Sequence, residues 1–249
     1  MSSSLRARAL RGDRLIGVLL RMPSEELVEM SAVAGMDFVL IDCEHGPADV
    51  IALRHHIALA AVHAVPVIVR VGEDDPGQIL RALDQGAQGI LAPHLDSRAD
   101  AAAVVAASLY PPEGTRGFAT YGRAGRFGTV PAAQHRERML ADTLVLGMIE
   151  SPAAVAAVRE IAGTPRLDGL MIGPADLAAS SGPSDPPPAE AAAVVHAALR
   201  AEGRLRMDIV GDAASARSAF DDGAQFVVYN LVHSLMGHLG ALVGGRDSG

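Results

Sequence analysis

The chain has 249 residues, 49% hydrophobic and 20% charged, with a mean hydropathy of +0.24, which supplies a packed core and excludes wholesale disorder. A net charge of −8 and an aromatic content of only 3% argue against a nucleic-acid partner, which needs a basic face or a stacking surface. One cysteine gives no disulfide framework and no apolar run reaches the roughly 18 residues of a membrane span, so the chain reads as cytoplasmic, with no membrane partner.

The first segment, Met1 to Arg14, carries Arg6, Arg8, Arg11 and Arg14 and no acid before Asp13. That pattern fits a transit peptide or a short helix leading into the first strand, and the lack of a following secretory apolar core favours the helix. Short β-branched runs then alternate with longer Ala/Leu-rich stretches. Strands are predicted at Leu15–Leu20, Phe38–Asp42, Val67–Val71, Gly89–Pro93, Thr143–Glu150, Asp168–Ile172, Met207–Val210 and Gln225–Tyr229. Helical patterns fall at Ser24–Ala34, Ala48–Val62, Pro76–Gln85, Ser97–Leu109, Pro152–Ile161, Pro187–Glu202 and Ala213–Asp221, with a last helix over Leu231–Val243.

Nearly continuous apolar strands between helices imply a parallel sheet covered by helices. Eight such units in this length predict a single (β/α)8 TIM barrel spanning residues 1–249. An open doubly wound sheet is the alternative, but no G-x-G-x-x-G follows the first strand. Punctuation agrees: Ser24 precedes Glu25 and Glu26 as a cap, Pro76 and Pro152 suit first-turn positions, and Gly35, Gly86 and Gly223 suit left-handed helix ends. Two segments break the rhythm. Tyr110 to Thr129 reads as a long Gly/Pro/Arg-rich loop, a functional or mobile segment. Gly182 to Pro188 reads as a surface connection without chemistry.

In such a barrel, reactive groups belong at the carboxyl ends of the strands. Those ends read Asp42-Cys43-Glu44-His45-Gly46-Pro47, Arg70, Ala92-Pro93-His94, Glu150, and Gly173-Pro174-Ala175-Asp176. Glu150 and Asp176, two carboxylates without nearby His or Cys pairs, suit a hard divalent ion such as Mg²⁺ or Mn²⁺; the competing reading is a pair of acids that stabilise helix starts. Exposed N–H groups at Gly173-Pro174-Ala175 can hold a carboxylate. His45, in a turn after a strand, suits a general base near neutral pH. Arg70 ends an apolar strand and needs an anionic partner, either Asp42 or Glu44 in a structural pair or a developing enolate. Cys43 reads as a small buried residue.

The phrase Asp42-Cys43-Glu44-His45-Gly46-Pro47 resembles the D-x-E-H-G/A-P signature of the HpcH/HpaI aldolases, the metal-dependent class II pyruvate aldolases. The resemblance continues through Val67-Ile68-Val69-Arg70, Leu83 to Ile90, Tyr110 to Gly117, Ile149-Glu150-Ser151 and Gly173 to Leu177, essentially the whole chain in order. It implies a barrel that cleaves a 4-hydroxy-2-oxo acid to pyruvate and an aldehyde, or joins them, through a pyruvate enolate on a divalent ion (Mg²⁺, Mn²⁺ or Co²⁺), with no organic cofactor. By the same resemblance Glu150 and Asp176 are metal ligands and Arg70 steadies the enolate oxygen. His45 handles the proton of the substrate 4-hydroxyl, and Asp84 partners that histidine, across a subunit contact. Asp42 and Glu44 are supporting acids, and the chain is a homo-oligomer, a hexamer, with its last helix on a neighbour.

Two departures stand out. Where the family's first strand usually carries Trp in a G-x-W phrase, this chain has Gly17-Val18-Leu19; where the aldolases usually have Gln two residues before the metal Glu, it has Met148. A thioether in place of a substrate-facing amide removes hydrogen bonds near the pyruvate. The alternatives to an aldolase are a CoA-thioester lyase of the citrate lyase β or malyl-CoA lyase type and a non-catalytic barrel that binds a keto acid. Arg116, Arg123 and Arg126 in the long loop suit either recognition of an acidic aldehyde or plain solvation.

Overall fold

The computed structural model describes residues 3–46 and 49–244. Pro47 and Ala48, which close the strand-end motif and open the second predicted helix, lie outside the described residues, as does Met1. Eight strands, β1 (Leu15–Leu20), β2 (Phe38–Asp42), β3 (Val67–Arg70), β4 (Gly89–Ala92), β5 (Leu144–Ile149), β6 (Gly169–Ile172), β7 (Leu205–Val210) and β8 (Phe226–Asn230), pair in parallel in chain order, and β8 returns to β1. This is the closed (β/α)8 barrel that the alternation predicts, with strand limits within about two residues of those read from the sequence. The helices are α1 (Leu5–Leu10), α2 (Glu25–Val33), α3 (Val50–Val62), α4 (Pro76–Gln85), α5 (Arg98–Ser108), α6 (Ala132–Asp142), α7 (Pro152–Ala162), α8 (Pro174–Ser180), α9 (Pro188–Ala201), α10 (Ala213–Asp221) and α11 (Leu231–Gly244). The expected punctuation is in place: the Ser24 hydroxyl accepts from Leu27 N–H, and Gly35, Gly86 and Gly223 hold φ of +89°, +105° and +95°.

Alternation along each strand divides two apolar layers. Leu19, Phe38, Leu40, Ile68, Leu91, Leu146, Met148, Met171, Met207 and Phe226 fill the barrel, while Val39, Val69, Ile90, Val145 and Ile149 pack outward beneath the helices. The inward series continues past the apolar residues to the strand ends, which carries Asp42, Arg70 and Glu150 to the mouth at the carboxyl end.

The amino-terminal segment is the short helix. Leu5 and Ala9 of α1 are buried in the barrel-filling cluster, so α1 seals the floor of the barrel. Its arginines are answered by acids: Arg6 by Asp168 (2.9 Å), Arg8 by Asp37 (2.7 Å), Arg11 by Asp13 (3.3 Å), and Arg14, just past α1, by Asp221 (2.9 Å).

Two helices escape the sequence pattern. α6 buries only His135 and Met139, too few positions to write an apolar stripe. α8 spans 7 residues immediately after β6, where the sequence indicates only a helix start.

The long loop is ordered where the sequence suggests a structureless stretch. Arg123–Gly128 forms a kinked turn in which Arg126 and Phe127 hold left-handed φ of +49° and +56°, with Gly128 N–H donating to Thr120 O (2.9 Å) and Phe127 N–H to Gly122 O (3.0 Å). Gly122 packs against the carbonyl of Asp84, 2.8 Å from where a Cβ would sit, at the end of α4 that feeds β4. The loop therefore lies at the floor, where the strands begin, and within one chain it cannot line the mouth. α11 buries none of its residues and exposes Leu235, Met236, Leu239, Leu242 and Val243.

Candidate active site

The mouth is organised around a buried arginine–carboxylate pair. Arg70 ends β3 directly beside Asp42 on β2, and register alone brings them together. Arg70 Nε donates to Asp42 Oδ1 (2.9 Å) and Nη2 to Oδ2 (2.5 Å), a two-pronged pair with both side chains almost wholly buried. Asp42 also accepts from Arg21 Nε (2.8 Å) and from the backbone N–H groups of Glu44 (3.1 Å) and His45 (3.2 Å). Burial alone would raise the Asp42 carboxyl, but the Arg70 hydrogen bonds and charge, with those of His45 N–H and Arg21, hold it below the ordinary value of 3.8. Asp42 thus fixes both the guanidinium and the turn that carries Glu44 and His45.

With Nε and Nη2 committed to Asp42, Nη1 is the arginine donor left for the mouth. It lies 3.1 Å from Glu44 Oε2, off the line of a hydrogen bond, and 3.8 Å from the sulfur of Met148. Met148 is 2% exposed, so it presents a thioether to Arg70 deep in the barrel.

Across from Arg70, Glu150 follows β5. Its Oε2 accepts the His94 backbone N–H (3.0 Å) and stands 3.5 Å from His94 Nδ1, while His94 Nε2 stands 3.4 Å from Glu44 Oε1. Donor atoms of Glu44, His94 and Glu150 all fall within 4.8 Å of one another. Glu150 Oε1 is buried and has no hydrogen-bond partner among the described residues. Burial, and then the charges of Glu44 and Asp176, raise the Glu150 carboxyl above its ordinary 4.5 against the opposing pull of His94. An orphaned oxygen in a site with surplus negative charge fits a divalent cation, and two carboxylates with an imidazole are donors that such an ion accepts.

Of the sequence-derived site residues, the structure gathers Asp42, Glu44, Arg70, Met148 and Glu150. Gly173 joins them by necessity, because the Glu150 carboxylate occupies the space any β-carbon at 173 would need. Asp176, in the first turn of α8, bears on Glu150 through its charge. Gly173 N–H is taken by Ile149 O (3.1 Å) and Pro174 has none, so of Gly173, Pro174 and Ala175 only Ala175 offers an amide to a ligand. His45 stands half-exposed at the edge, 3.9 Å from Glu44 Oε2.

Asp84 is at the opposite end of the barrel, bonded to Arg116 Nη2 (2.5 Å). Arg116 is neither solvated nor at the mouth: its side chain is fully buried and its guanidinium lies 4.5 Å from the centre of the Tyr110 ring. His94, between Glu44 and Glu150, and Arg21, bonded to Asp42, join the cluster at the mouth without having been assigned to it from the sequence. The one signal for His94 was its place directly after β4, in line with the other strand ends.

The HpcH/HpaI aldolase/citrate lyase family model matches residues 16–232. The hydroxypyruvate/pyruvate aldolase of Sagittula stellata is 38% identical over 233 residues, 90% of this chain and 89% of that protein. The pyruvate aldolase of Rhizobium etli is 39% identical over 203 residues, 80% of this chain and 78% of that protein. Among solved structures, an HpcH/HpaI aldolase from Desulfitobacterium hafniense superposes with a TM-score of 0.91 at 25% identity, covering 99% of this chain and 98% of that one.

Proposed function

This chain belongs to the HpcH/HpaI aldolase/citrate lyase family, and from that premise we propose that it is a class II, divalent-metal-dependent pyruvate aldolase. It cleaves a 4-hydroxy-2-oxo acid to pyruvate and an aldehyde, or runs the reverse addition. The observation that carries the reading is the buried Glu150 carboxylate: its Oε1 has no hydrogen-bond partner among the described residues, and donor atoms of Glu150, Glu44 and His94 lie within 4.8 Å of one another. Glu150 and Asp176 would hold the ion, with Glu44 supporting. A bound Mg²⁺, Mn²⁺ or Co²⁺ supplies a Lewis acid that draws electron density from the substrate keto oxygen.

The remaining work belongs to the chain. Arg70, clamped by Asp42, keeps Nη1 oriented toward negative charge that develops on the pyruvate oxygen, so no reorganisation is needed as that charge grows. The Ala175 amide receives the substrate carboxylate. His45, exposed at the edge, takes the proton from the 4-hydroxyl on cleavage and returns it on addition. Asp84 sits at the floor of its own barrel, so it orients only the His45 of a second copy. An oligomer, a hexamer on the family pattern, would supply that arrangement and cover the apolar residues of α11. Small-molecule oxo acids and aldehydes are the partners, and the lone thiol, Cys43, is buried and suits a cytoplasmic setting. No helix among the described residues is long and apolar enough to cross a membrane.

The test is exchange of the pyruvate C3 protons in D₂O, followed by NMR with Mg²⁺ or Mn²⁺ and again with EDTA. Exchange that disappears with the chelator is the expected result. No exchange with any ion would overturn the assignment; metal-dependent cleavage of CoA thioesters would then replace it with the CoA lyase, and its absence would leave a keto-acid-binding barrel.

A further inference from the structure

We propose that the floor of the barrel carries a second binding site, for a small organic anion with an apolar body, in the groove where β3, β4 and β5 begin. The groove lies at the end opposite the mouth, so the inference stands apart from the aldolase reading. Its cavity measures about 590 Å³, well inside the range of roughly 300–1,000 Å³ that small-molecule ligands occupy. The charged residues on its lining are Arg123, Arg126, Arg138 and Asp142, three cations to one anion in a chain whose net charge is −8.

These arginines differ from the others at the floor in what they meet. Arg6, Arg8 and Arg14 each face an acid, and Arg116 faces Asp84. Among the described residues, no acid or hydrogen-bond acceptor meets the guanidinium of Arg123 or Arg126. Arg123 is held by packing instead: its stem crosses Gly86, with Cδ 3.5 Å from where a Cβ at 86 would sit. Arg138 Nη2 donates to Ala124 O, which pins α6 to the kinked turn and leaves Nη1 uncommitted. The groove thus presents placed guanidinium groups without the carboxylates that would neutralise them. A guanidinium fork recognises a carboxylate or a phosphate through paired hydrogen bonds.

The rest of the lining selects among anions. Ile57 of α3, Val65 and Pro66 ahead of β3, and Met139 of α6 form an apolar wall, joined by Phe127, whose ring is 65% exposed. Thr143 belongs to the same lining, is almost wholly buried, and its hydroxyl has no hydrogen-bond partner among the described residues. A buried hydroxyl without a partner calls for one, and a ligand oxygen seated against that wall would supply it. An inorganic ion would answer the arginines but leave the apolar wall and the Phe127 ring wet. A carboxylate or phosphate ester on an aromatic or branched body answers both.

The experiment labels the full-length protein with ¹³C at the methionine and isoleucine methyls and titrates it in EDTA with phenyl phosphate, benzoate and inorganic phosphate. The Met139 and Ile57 methyls report on the groove, and the Met148 methyl on the barrel interior beneath the mouth. Phenyl phosphate or benzoate should move the Met139 and Ile57 signals saturably, with a midpoint of about 1 mM or lower, while Met148 stays in place. Inorganic phosphate should bind about tenfold more weakly or worse, and the tighter of the two aromatic probes assigns the natural ligand to phosphate esters or to carboxylates. Arg123→Gln combined with Arg126→Asn, the latter suited to positive φ, should weaken binding about tenfold or more without changing the sedimentation coefficient. Shifts without saturation by about 10 mM, shifts confined to Met148, or inorganic phosphate binding as well as the aromatic probes would overturn the proposal. So would a double variant that binds the probes unchanged, or one that alters the sedimentation coefficient, which would assign the arginines to a contact between copies. If the double variant fails to fold, the methyl shifts of the unaltered protein decide between these outcomes.

Discussion

Two of the buried arginine–carboxylate pairs, Arg70–Asp42 and Arg116–Asp84, stand at opposite ends of the barrel, and they differ in what is left over. At the mouth, Arg70 and Arg21 face Asp42, Glu44 and Glu150, with Asp176 adding its charge, so carboxylate is in surplus and two buried oxygens, Glu44 Oε2 and Glu150 Oε1, have no hydrogen-bond partner among the described residues. At the floor, Arg116 meets the single carboxylate of Asp84, and its buried Nε and Nη1 have no partner among the described residues. The same ion-pair chemistry therefore serves two ends. Surplus acid makes a place for a cation, while surplus guanidinium over the Tyr110 ring ties the long loop to α4.

If that contrast is right, Glu150→Gln should be the most damaging change to activity. It preserves shape but removes the charge that a cation needs, and kcat/KM should fall by about 10³-fold or more in aldol cleavage assays. A variant that kept full activity would end the argument that surplus charge at the mouth has a purpose. Arg70→Met comes next, with a loss on the order of 10²–10³-fold in kcat. It also strands Asp42, whose side chain has no solvent exposure, and should cost about 3–5 kcal/mol in urea denaturation.

Gly173→Ala sharpens the comparison without touching a charge. The new methyl must displace the Glu150 carboxylate, so activity should drop about 10–100-fold while the urea midpoint moves little. At the floor, Arg116→Met leaves a partner, Asp84, that keeps 19% side-chain exposure, so its stability cost should stay near 1–3 kcal/mol, below that of Arg70→Met.

The smallest effect is one of pH. Burial, and then the charges of Arg138 and Arg116, hold the His135 imidazole below its ordinary 6.5. The unfolded chain then binds this proton more tightly than the folded one. Its contribution is complete above about pH 6.5 and is lost as pH falls through the lower folded value. The urea midpoint of the unaltered protein should fall from pH 7.5 to 5.5, and that of His135→Gln should fall less; equal slopes would show that the floor does not disfavour added positive charge.

The fold was legible because buried parallel strands write themselves as apolar runs, and the first inward position beyond each run marks the mouth. Asp42, Arg70 and Glu150 follow from that rule. His94 does not, because its partners arrive from β2 and β5, about fifty residues away on either side, and no local spacing records a meeting of that kind. The long loop misleads for a related reason: its glycines and prolines advertise irregular backbone, whereas Arg116 and Tyr110 hold it through contacts with α4 and α6 that composition does not show. α6 was missed because a helix that buries two side chains carries almost no periodic signal.

The sealed floor also bears on how the chain is made. α1 and β1 leave the ribosome before the elements that complete them: Leu15 N–H waits for Gln225 O (2.8 Å), Arg14 for Asp221 (2.9 Å) and Arg6 for Asp168 (2.9 Å). Contacts so distant along the chain form late, and until β8 arrives the barrel is an open sheet with two unpaired edges. Closing that seam brings together the first and last strands of the barrel, so a change that weakens the docking of β8 on β1 should lower the yield of folded protein without touching the mouth.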